Sequence, residues 1–442
     1  MLFKSLSLKN FKCFEEVDVK FAPITLLTGA NSSGKSSLIN SLLAMFQTEQ
    51  FPFNLSPNGD YVNMGSFEKM VYQNDLTKDI SLDLEIENQS VSGIDPHPVL
   101  KTKWKYNSIN DLPKLNSIDC RFEELYFVNT FWDLKLNTIS DSSLKFNLDL
   151  RMDDIRNDEI RSWLEDIEGF KGSFEKRRNG HDNHIRITKS FSSINGLLSA
   201  VRDRKFIFNE SFNRQFDGSL FNYIGSFRRP PERSNVRKSK ALNRIETDGE
   251  GYLDQIIEWK ETNTEKFDEL NKIITELELL ESVGSFTKDG TFEISVKVKK
   301  NSNEANLADV GFGVSQFLPI IVADLQLPDN SCLAISQPEI HLHPKIQASF
   351  GDHLQNQIRS KNKQYIIETH SEYLLNRIRL LLVKGDLKPQ DVKVYYFEND
   401  GIKSTVHDIE FATDGQIKNA PDGFFDTYGI DVMNIALNLF KE

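Results

Sequence analysis

Apolar residues recur at two periods along this 442-residue chain, and the changes between them mark its elements. Leu2, Leu6, Leu8 and Phe11 give one rhythm, and Phe14, Val17 and Val19 give another. Together they predict strands over residues 1–27 with a turn at Lys9–Phe14. Ile24–Thr28 is a short β-branched run, after which Leu38, Leu42 and Met45 fall at helical spacing. Ile80–Ile86 alternates strictly, as a half-buried strand does, and Leu144, Phe146, Leu148 and Leu150 line one face of another. Asp153–Phe170 reads as helical. Phe267, Leu270, Ile274 and Leu277 predict a helix over Asn263–Ser282, whose heptads do not persist into a long coiled coil. Asp289-Gly290 is a turn, and Thr291–Lys299 alternates as a strand. Ser331–Ile335, Lys363–Thr369 and Val392–Phe397 are strand runs, the last followed by a hairpin signal at Asn399-Asp400-Gly401.

One stretch carries specific chemistry. Gly29–Ser36 fits G-x-x-x-x-G-K-[ST] and lies between a predicted strand and a predicted helix. Glycines let backbone N–H groups turn toward a polyphosphate, and the helix N-terminus adds partial positive charge. Lys35 is placed to reach the β and γ phosphates, and the Ser36 hydroxyl to ligate Mg²⁺. Asn31, Ser32, Ser33, Gly34, Lys35, Ser36 and Ser37 form the candidate ATP-binding set.

Composition narrows the class. The chain is long enough for two or three domain-sized units, and it has no apolar run of about 18 residues, so no membrane span is expected. The N-terminus lacks the apolar core and cleavage site of a signal peptide. Cys13, Cys120 and Cys332 are odd in number and far apart, and Cys13 and Cys332 lie in apolar strand-like runs, which suits packed thiols in a reducing cytoplasm. A net charge of −12 argues against a surface coated in nucleic acid but leaves room for a local basic groove. Such a stretch exists: Arg228, Arg229, Arg233, Arg237, Lys238, Lys240 and Arg244 accompany a single acid, Glu232. A phosphate-binding surface and a solvated loop are both compatible with it. His181-Asp182-Asn183-His184 has no third ligand nearby and reads as a loop.

The run LSLKNFKCFEEVDVKFAPITLLTGANSSGKSSLINSLL resembles the N-terminal lobe of ABC-type ATPases of the SMC, RecF and OLD (overcoming lysogenization defect) group. Asp60–Phe67 and Tyr223–Arg233 also look like segments of OLD-like ATPases. Gln73 lies near where ABC heads place a glutamine that senses Mg²⁺ and the attacking water; a plain surface glutamine is the other reading. Ala308–Ile320 resembles the signature segment, with Gly313, Ser315 and Gln316 at a helix start and the serine expected as an N-cap. In the family this segment faces the γ-phosphate held by a partner's loop. The resemblance therefore implies ATP and Mg²⁺ between two copies, in a homodimer or higher homo-oligomer. His341 and His343 would contact the partner subunit, and His370, in Thr369-His370-Ser371, resembles the histidine that contacts the γ-phosphate. The tail around Asp414–Asp426 resembles a C-terminal extension in some OLD-like ATPases.

The chain departs from the pattern at one place. OLD-like ATPases have acid-Glu-Pro-Glu-x-x-Leu-His-Pro, some members with Gln at the second place, where this chain has Ser336-Gln337-Pro338-Glu339-Ile340-His341-Leu342-His343-Pro344. Ser336 replaces the carboxylate linked to Mg²⁺, and Gln337 replaces the general base. A glutamine can position water but cannot take its proton, and losing a general base typically costs ~10²–10⁴-fold in rate. ATP binding with slow or absent hydrolysis is expected; the alternative is that Glu339 restores turnover.

The expected fold is an α/β ABC-type P-loop ATPase head, two-lobed, with mixed sheets, flanking helices and an inserted α+β or helical subdomain. Its expected parts are residues 1–95, 96–222, 223–400 and 401–442. By resemblance, the expected role is the cytoplasmic ATP-binding subunit of a bacterial antiphage defence system, similar to the ATPases of Septu or PARIS. It would restrain an effector nuclease on another polypeptide, since the Toprim domain of OLD nucleases is not found here. The alternative is a RecF-like DNA-repair ATPase with normal turnover, contacting DNA or tRNA.

Overall fold

A computed structural model describes residues 2–48, 51–52, 54–87, 99–123, 130–140, 143–152, 177–179, 182–191, 219–236, 243–421 and 424, by backbone alone between 120 and 191 and at 288. The fold is α/β, with mixed sheets and flanking helices. The chain divides into two compact units, residues 1–20 with 37–218 and residues 21–36 with 219–442.

The first unit is built on a nine-stranded antiparallel sheet. Its order is Phe14–Lys20, Leu2–Phe11, Ile80–Glu87, Val99–Tyr106, Pro113–Glu123, Thr130–Ser140, Ser143–Met152, Asp182–Phe191 and Arg177–Asn179. Strands that follow residue 96 thus extend the N-terminal sheet. Phe3 rather than Leu2 is the first buried side chain, because a bulge between Phe3 and Ser5 shifts the register. The expected turn is shorter than Lys9–Phe14, since pairing runs through Phe11↔Phe14. Trp104 is fully buried, and its indole N–H donates to the Thr102 hydroxyl, which donates in turn to the Leu82 carbonyl. Asp153–Phe170 and His181 lie outside the described residues.

The second unit carries a seven-stranded sheet in the order Phe221–Ile224, Cys332–Ser336, Gln364–Glu368, Ile24–Gly29, Val392–Asn399, Ser404–Phe411 and Ile417–Lys418. The first five strands are parallel, and the last two are antiparallel additions. Ile24–Gly29, Cys332–Ser336 and Gln364–Glu368 are buried at every position, the polar ones included, as central strands of a covered parallel sheet are. The Phe312–Gln326 helix is buried without interruption from Ser315 to Leu325. It is apolar all round because it packs on Phe221–Ile224 and Cys332–Ser336 and against the helices Tyr252–Thr262 and Thr264–Glu276.

The helix expected over Asn263–Ser282 ends earlier than its apolar spacing suggests. Asn263 caps it by accepting from the Lys266 N–H, and it stops at Glu276. Glu278 turns left-handed, Leu279 and Leu280 are buried in the turn, and Ser282 already begins the strand Ser282–Lys288. That strand pairs with Thr291–Lys297 around Asp289 and Gly290, both at positive φ as a tight hairpin requires.

A polar cluster sits inside this unit. Asp324, 1% exposed, accepts from the Lys363 ammonium at 3.0 Å and the Tyr365 hydroxyl at 2.9 Å, and its other oxygen meets His353 Nε2 at 2.9 Å. Burial alone would raise the Asp324 pKa, but Lys363 and then His353 outweigh it and hold the carboxyl below its ordinary 3.8. A folded pKa below the unfolded one means the stabilisation is complete above the unfolded value and is lost as pH falls through the folded value. Asp324→Ala leaves the Lys363 cation buried and is expected to destabilise the unit by about 3–5 kcal/mol in urea denaturation. The stability lost on lowering the pH below 3.8 should be smaller in this variant than in the wild type.

Candidate nucleotide-binding site

The strand Ile24–Gly29 runs through the sheet between two parallel neighbours and delivers the glycine loop to its carboxyl edge. Gly29 lies at φ +131°, and a side chain there would collide with the Phe397 carbonyl. Ser32 and Gly34 are also left-handed, at φ 60° and 106°, before the Lys35–Gln47 helix begins. Such a reversal turns successive N–H groups into one concavity, a cradle for anions. Two side chains fit that role. Lys35 is 3% exposed, and its ammonium donates to carbonyls of the loop itself, Gly29 at 3.0 Å and Ala30 at 2.7 Å. Burial lowers its pKa from 10.5, against the opposing pull of Glu368 and Glu339. The Ser33 hydroxyl is buried with no hydrogen-bond partner. A buried cation held only by carbonyls and an orphaned hydroxyl suit an anionic ligand with acceptor oxygens, as ATP has.

Four hydroxyls and two carboxylates cluster at the loop. Ser36 Oγ lies 2.9 and 3.0 Å from the two Glu368 oxygens. Ser336 Oγ donates to Glu368 Oε2 at 3.0 Å and lies 3.1 Å from the Tyr223 hydroxyl. Burial pushes the Tyr223 phenol above its usual range. The pairing Ser336↔Glu368 on neighbouring parallel strands is what sets these side chains together. Glu339 accepts from the Thr369 hydroxyl at 2.9 Å and from the His370 N–H at 2.7 Å, so both of its oxygens are engaged by the chain. Desolvation, then Lys35, lowers the His370 imidazole below its ordinary 6.5. Gln337 sits at φ +48°, and its N–H donates to the Glu368 carbonyl at 2.7 Å.

The structure therefore brings Lys35, Ser36, Glu339 and His370 together, with Ser336 at the same sheet edge. Glu368, Thr369 and Tyr223 join them without having been singled out from the sequence. Glu368 was legible only as the residue before Thr369-His370; its chemistry arises from the strand pairing. Gln73 belongs to the other unit, where it is exposed, left-handed at φ 56°, and donates to the Tyr72 hydroxyl. Among the described residues no group of three or more His, Cys, Asp or Glu side chains forms a metal cluster. A P-loop magnesium site does not require one, because Mg²⁺ keeps waters and phosphate oxygens alongside one or two protein ligands.

The signature segment differs locally from expectation. The cap of the Phe312–Gln326 helix is Gly311, not Ser315. Ser315 is 2% exposed, and its hydroxyl bonds back to the Phe312 carbonyl. Gln316 is buried, and its amide donates to the Arg228 carbonyl. Gly313 is small for a packing reason: a Cβ there would collide with the His341 carbonyl. Nearby, His343 caps the Pro344–Lys361 helix by accepting from the Lys345 N–H.

Arg228 is likewise redirected. Expected within a basic surface, it is 2% exposed and donates to the carbonyls of Ser336, Gln337 and Gln316. Burial lowers its pKa to about 10. Arg229 pairs with Asp248 and Glu250, and Arg233 with Asp309, so acids from elsewhere neutralise part of the basic stretch. Arg237, Lys238 and Lys240 lie outside the described residues.

A glycine loop joining a buried parallel strand to a helix, with Lys35 and Ser36 at its end, defines a P-loop nucleotide-binding protein. The model of the AAA ATPase domain family matches residues 1–375, and the chain belongs to that family. It is an ATPase of a class that binds ATP, typically with Mg²⁺. A second family model, described as protein of unknown function (DUF3696), matches residues 387–435. No protein of curated function was found to match. Similar solved structures include an SMC head domain from Thermotoga maritima, with 12% identity, a TM-score of 0.40, and 93% of this chain and 100% of that one covered. Another is an SmcHead bound to the C-winged helix domain of ScpA, at 13% identity and TM-score 0.45, covering 93% and 98%. A third is an Smc head domain with an extended coiled coil bound to the C-terminal domain of ScpA derived from Pyrococcus furiosus, at 12% and 0.42, covering 92% and 96%. No helix among the described residues is long and apolar enough to cross a membrane.

Gly313→Ala tests the packing account of the signature segment. The variant is expected to lose roughly 1–3 kcal/mol of stability in chemical denaturation without any nucleotide present. Unchanged stability would leave the glycine to a role in ligand contact instead.

Proposed function

We propose that this chain is the ATP-binding, ABC-type subunit of a bacterial antiphage defence system. It dimerises around ATP, restrains a separate effector nuclease, and hydrolyses ATP slowly. The observation that carries this reading is a complete phosphate cradle beside a glutamine, Gln337, at the position where OLD-like ATPases carry their general base. Glu339, the candidate substitute, has both carboxylate oxygens engaged by Thr369 and His370, so activating water would require giving up one of those contacts. Bound ATP with Mg²⁺ supplies the anionic charge that the loop amides and Lys35 are arranged to hold.

A clamp built this way links occupancy to assembly by mass action. The N-terminal turn of the Phe312–Gln326 helix offers a surface for a facing copy. Phe312, the first residue of that helix, is 62% exposed, and its ring lies 6.1 Å from that of exposed His341, just before the Pro344–Lys361 helix. The defence role and the effector nuclease rest on the resemblance to the Septu and PARIS ATPases. A RecF-like DNA-repair role draws less support, because Arg228 is buried and Arg229 and Arg233 are paired with acids.

Lys35→Ala is expected to abolish binding of labelled ATP and, with it, ATP-dependent association measured by sedimentation velocity. Assembly that is unchanged by the substitution counts against a nucleotide clamp. Gln337→Glu is expected to raise phosphate release at least about tenfold, within the ~10²–10⁴-fold that a general base supplies. A rate that stays at the wild-type level would mean that hydrolysis is not limited at this position.

A further inference from the structure

We propose that Glu368 supplies the protein carboxylate of the magnesium site, taking over from position 336 on the neighbouring strand. The inference rests on the nucleotide reading of the glycine loop and names the residue that completes it.

Three observations converge on Glu368. The first is register. Ser336 ends one parallel strand and Glu368 ends the next, and the two are direct Cα partners. Moving a carboxylate from 336 to 368 shifts it by one strand along the same sheet edge. Ser336 is small enough to leave that space open, and its hydroxyl donates to Glu368 Oε2 at 3.0 Å. An aspartate at 336 would place a second carboxylate against Glu368. The two positions are thus alternatives for a single acid.

The second observation is the contact with the loop. Both Glu368 oxygens lie 2.9–3.0 Å from the Ser36 hydroxyl, the group that a P-loop presents to Mg²⁺. Neighbouring oxygens on one octahedral Mg²⁺, with bonds of about 2.0–2.1 Å, stand about 2.9 Å apart. Carboxylate and hydroxyl are therefore already at the separation that the ion requires, with little reorganisation.

The third is charge. Glu368 is 6% exposed. Among the described residues its hydrogen-bonding side-chain partners are two hydroxyls, Ser36 and Ser336; the charges of Lys35 and His370 act on it from farther off, and neither forms an ion pair with it. Buried carboxylates are ordinarily paired with a cation or bound to a metal. Glu339 is not an equivalent candidate, because Thr369 and His370 hold both of its oxygens.

The test uses the purified full chain with AMP-PNP, a non-hydrolysable ATP analogue. Mn²⁺ is titrated as a spin probe for Mg²⁺, free ion is read by electron paramagnetic resonance, and analogue affinity is measured separately in EDTA. Glu368→Gln keeps an acceptor oxygen for Ser36 and Ser336 but removes the charge. It is expected to weaken Mn²⁺ binding to the analogue complex by about 10–100-fold, while metal-free analogue affinity holds or rises. Adding Ser336→Asp returns the carboxylate to the neighbouring strand and should recover Mn²⁺ binding. If the glutamine variant does not fold, Glu368→Asp keeps the charge but draws the carboxylate back from Ser36 by one methylene, and it is expected to reduce metal affinity while metal-free affinity is kept. Mn²⁺ affinity within twofold of wild type in the folded variant overturns the proposal. So does an equal loss of analogue binding in EDTA, which would make Glu368 a support for the loop alone. A wild-type chain that binds no analogue under either condition overturns the nucleotide reading, and this assignment falls with it.

Discussion

Parallel pairing of Ile24–Gly29 with Gln364–Glu368, and of that strand with Cys332–Ser336, is the constraint from which the site follows. Parallel strands share a direction, so their carboxyl ends meet at one edge, where ligands of open α/β sheets bind. Gly29, Ser336 and Glu368 reach that edge together. The loop after Gly29 then needs only its left-handed turns at Ser32 and Gly34 to form a cradle. Antiparallel pairing would send alternate strand ends to opposite edges, and residues more than 300 positions apart, such as Ser36 and Glu368, would not meet.

The surroundings of the cradle are held largely by main-chain acceptors rather than by ion pairs. Arg228 spends its guanidinium on three carbonyls, tying the start of the Phe312–Gln326 helix to the turn after Cys332–Ser336. Gln316 returns the bond through its own amide. Lys35 rests on carbonyls of its own loop. Carbonyls satisfy a cation's donors without neutralising its charge, so Lys35, although Glu368 and Glu339 act on it, has no carboxylate bonded to it and can turn to an anion. The contrast within the same unit is the Asp324 cluster, where Lys363 is neutralised by a buried carboxylate and the charge is used for the interior.

Local signals were legible where the chemistry is contiguous. Eight consecutive residues define the glycine loop, and flanking periodicity placed its strand and helix. A run dominated by apolar residues, such as Ser331–Ile335, announced a buried parallel strand for the same reason. Legibility failed where a side chain's role depends on an unseen neighbour. Ser315 looks like a cap in the sequence, yet it lies one turn inside the helix, where it is buried and its hydroxyl turns back onto Phe312, and Gly311 takes the cap. Arg228 stands in a basic run, but it lies inside the unit. The helix after Asn263 stops at Glu276 although Leu277 keeps the apolar spacing, because the chain must turn there to feed the Ser282–Lys288 strand.

The sequence by itself determined a P-loop between strand and helix and an α/β class, and by resemblance it sets Ser336 and Gln337 where OLD-like ATPases carry acids. Each of these is a matter of residue identity over a short window. Only the tertiary structure decided that Glu368 stands beside Ser36 and Ser336, that Glu339 is held at both oxygens, that a Cβ at 313 would meet the His341 carbonyl, and that Arg228 is buried. Those outcomes depend on strand register and on which backbone groups lie across a gap. Hydrogen bonds reach only about 3 Å and are blind to separation along the chain, so folding is what sets them.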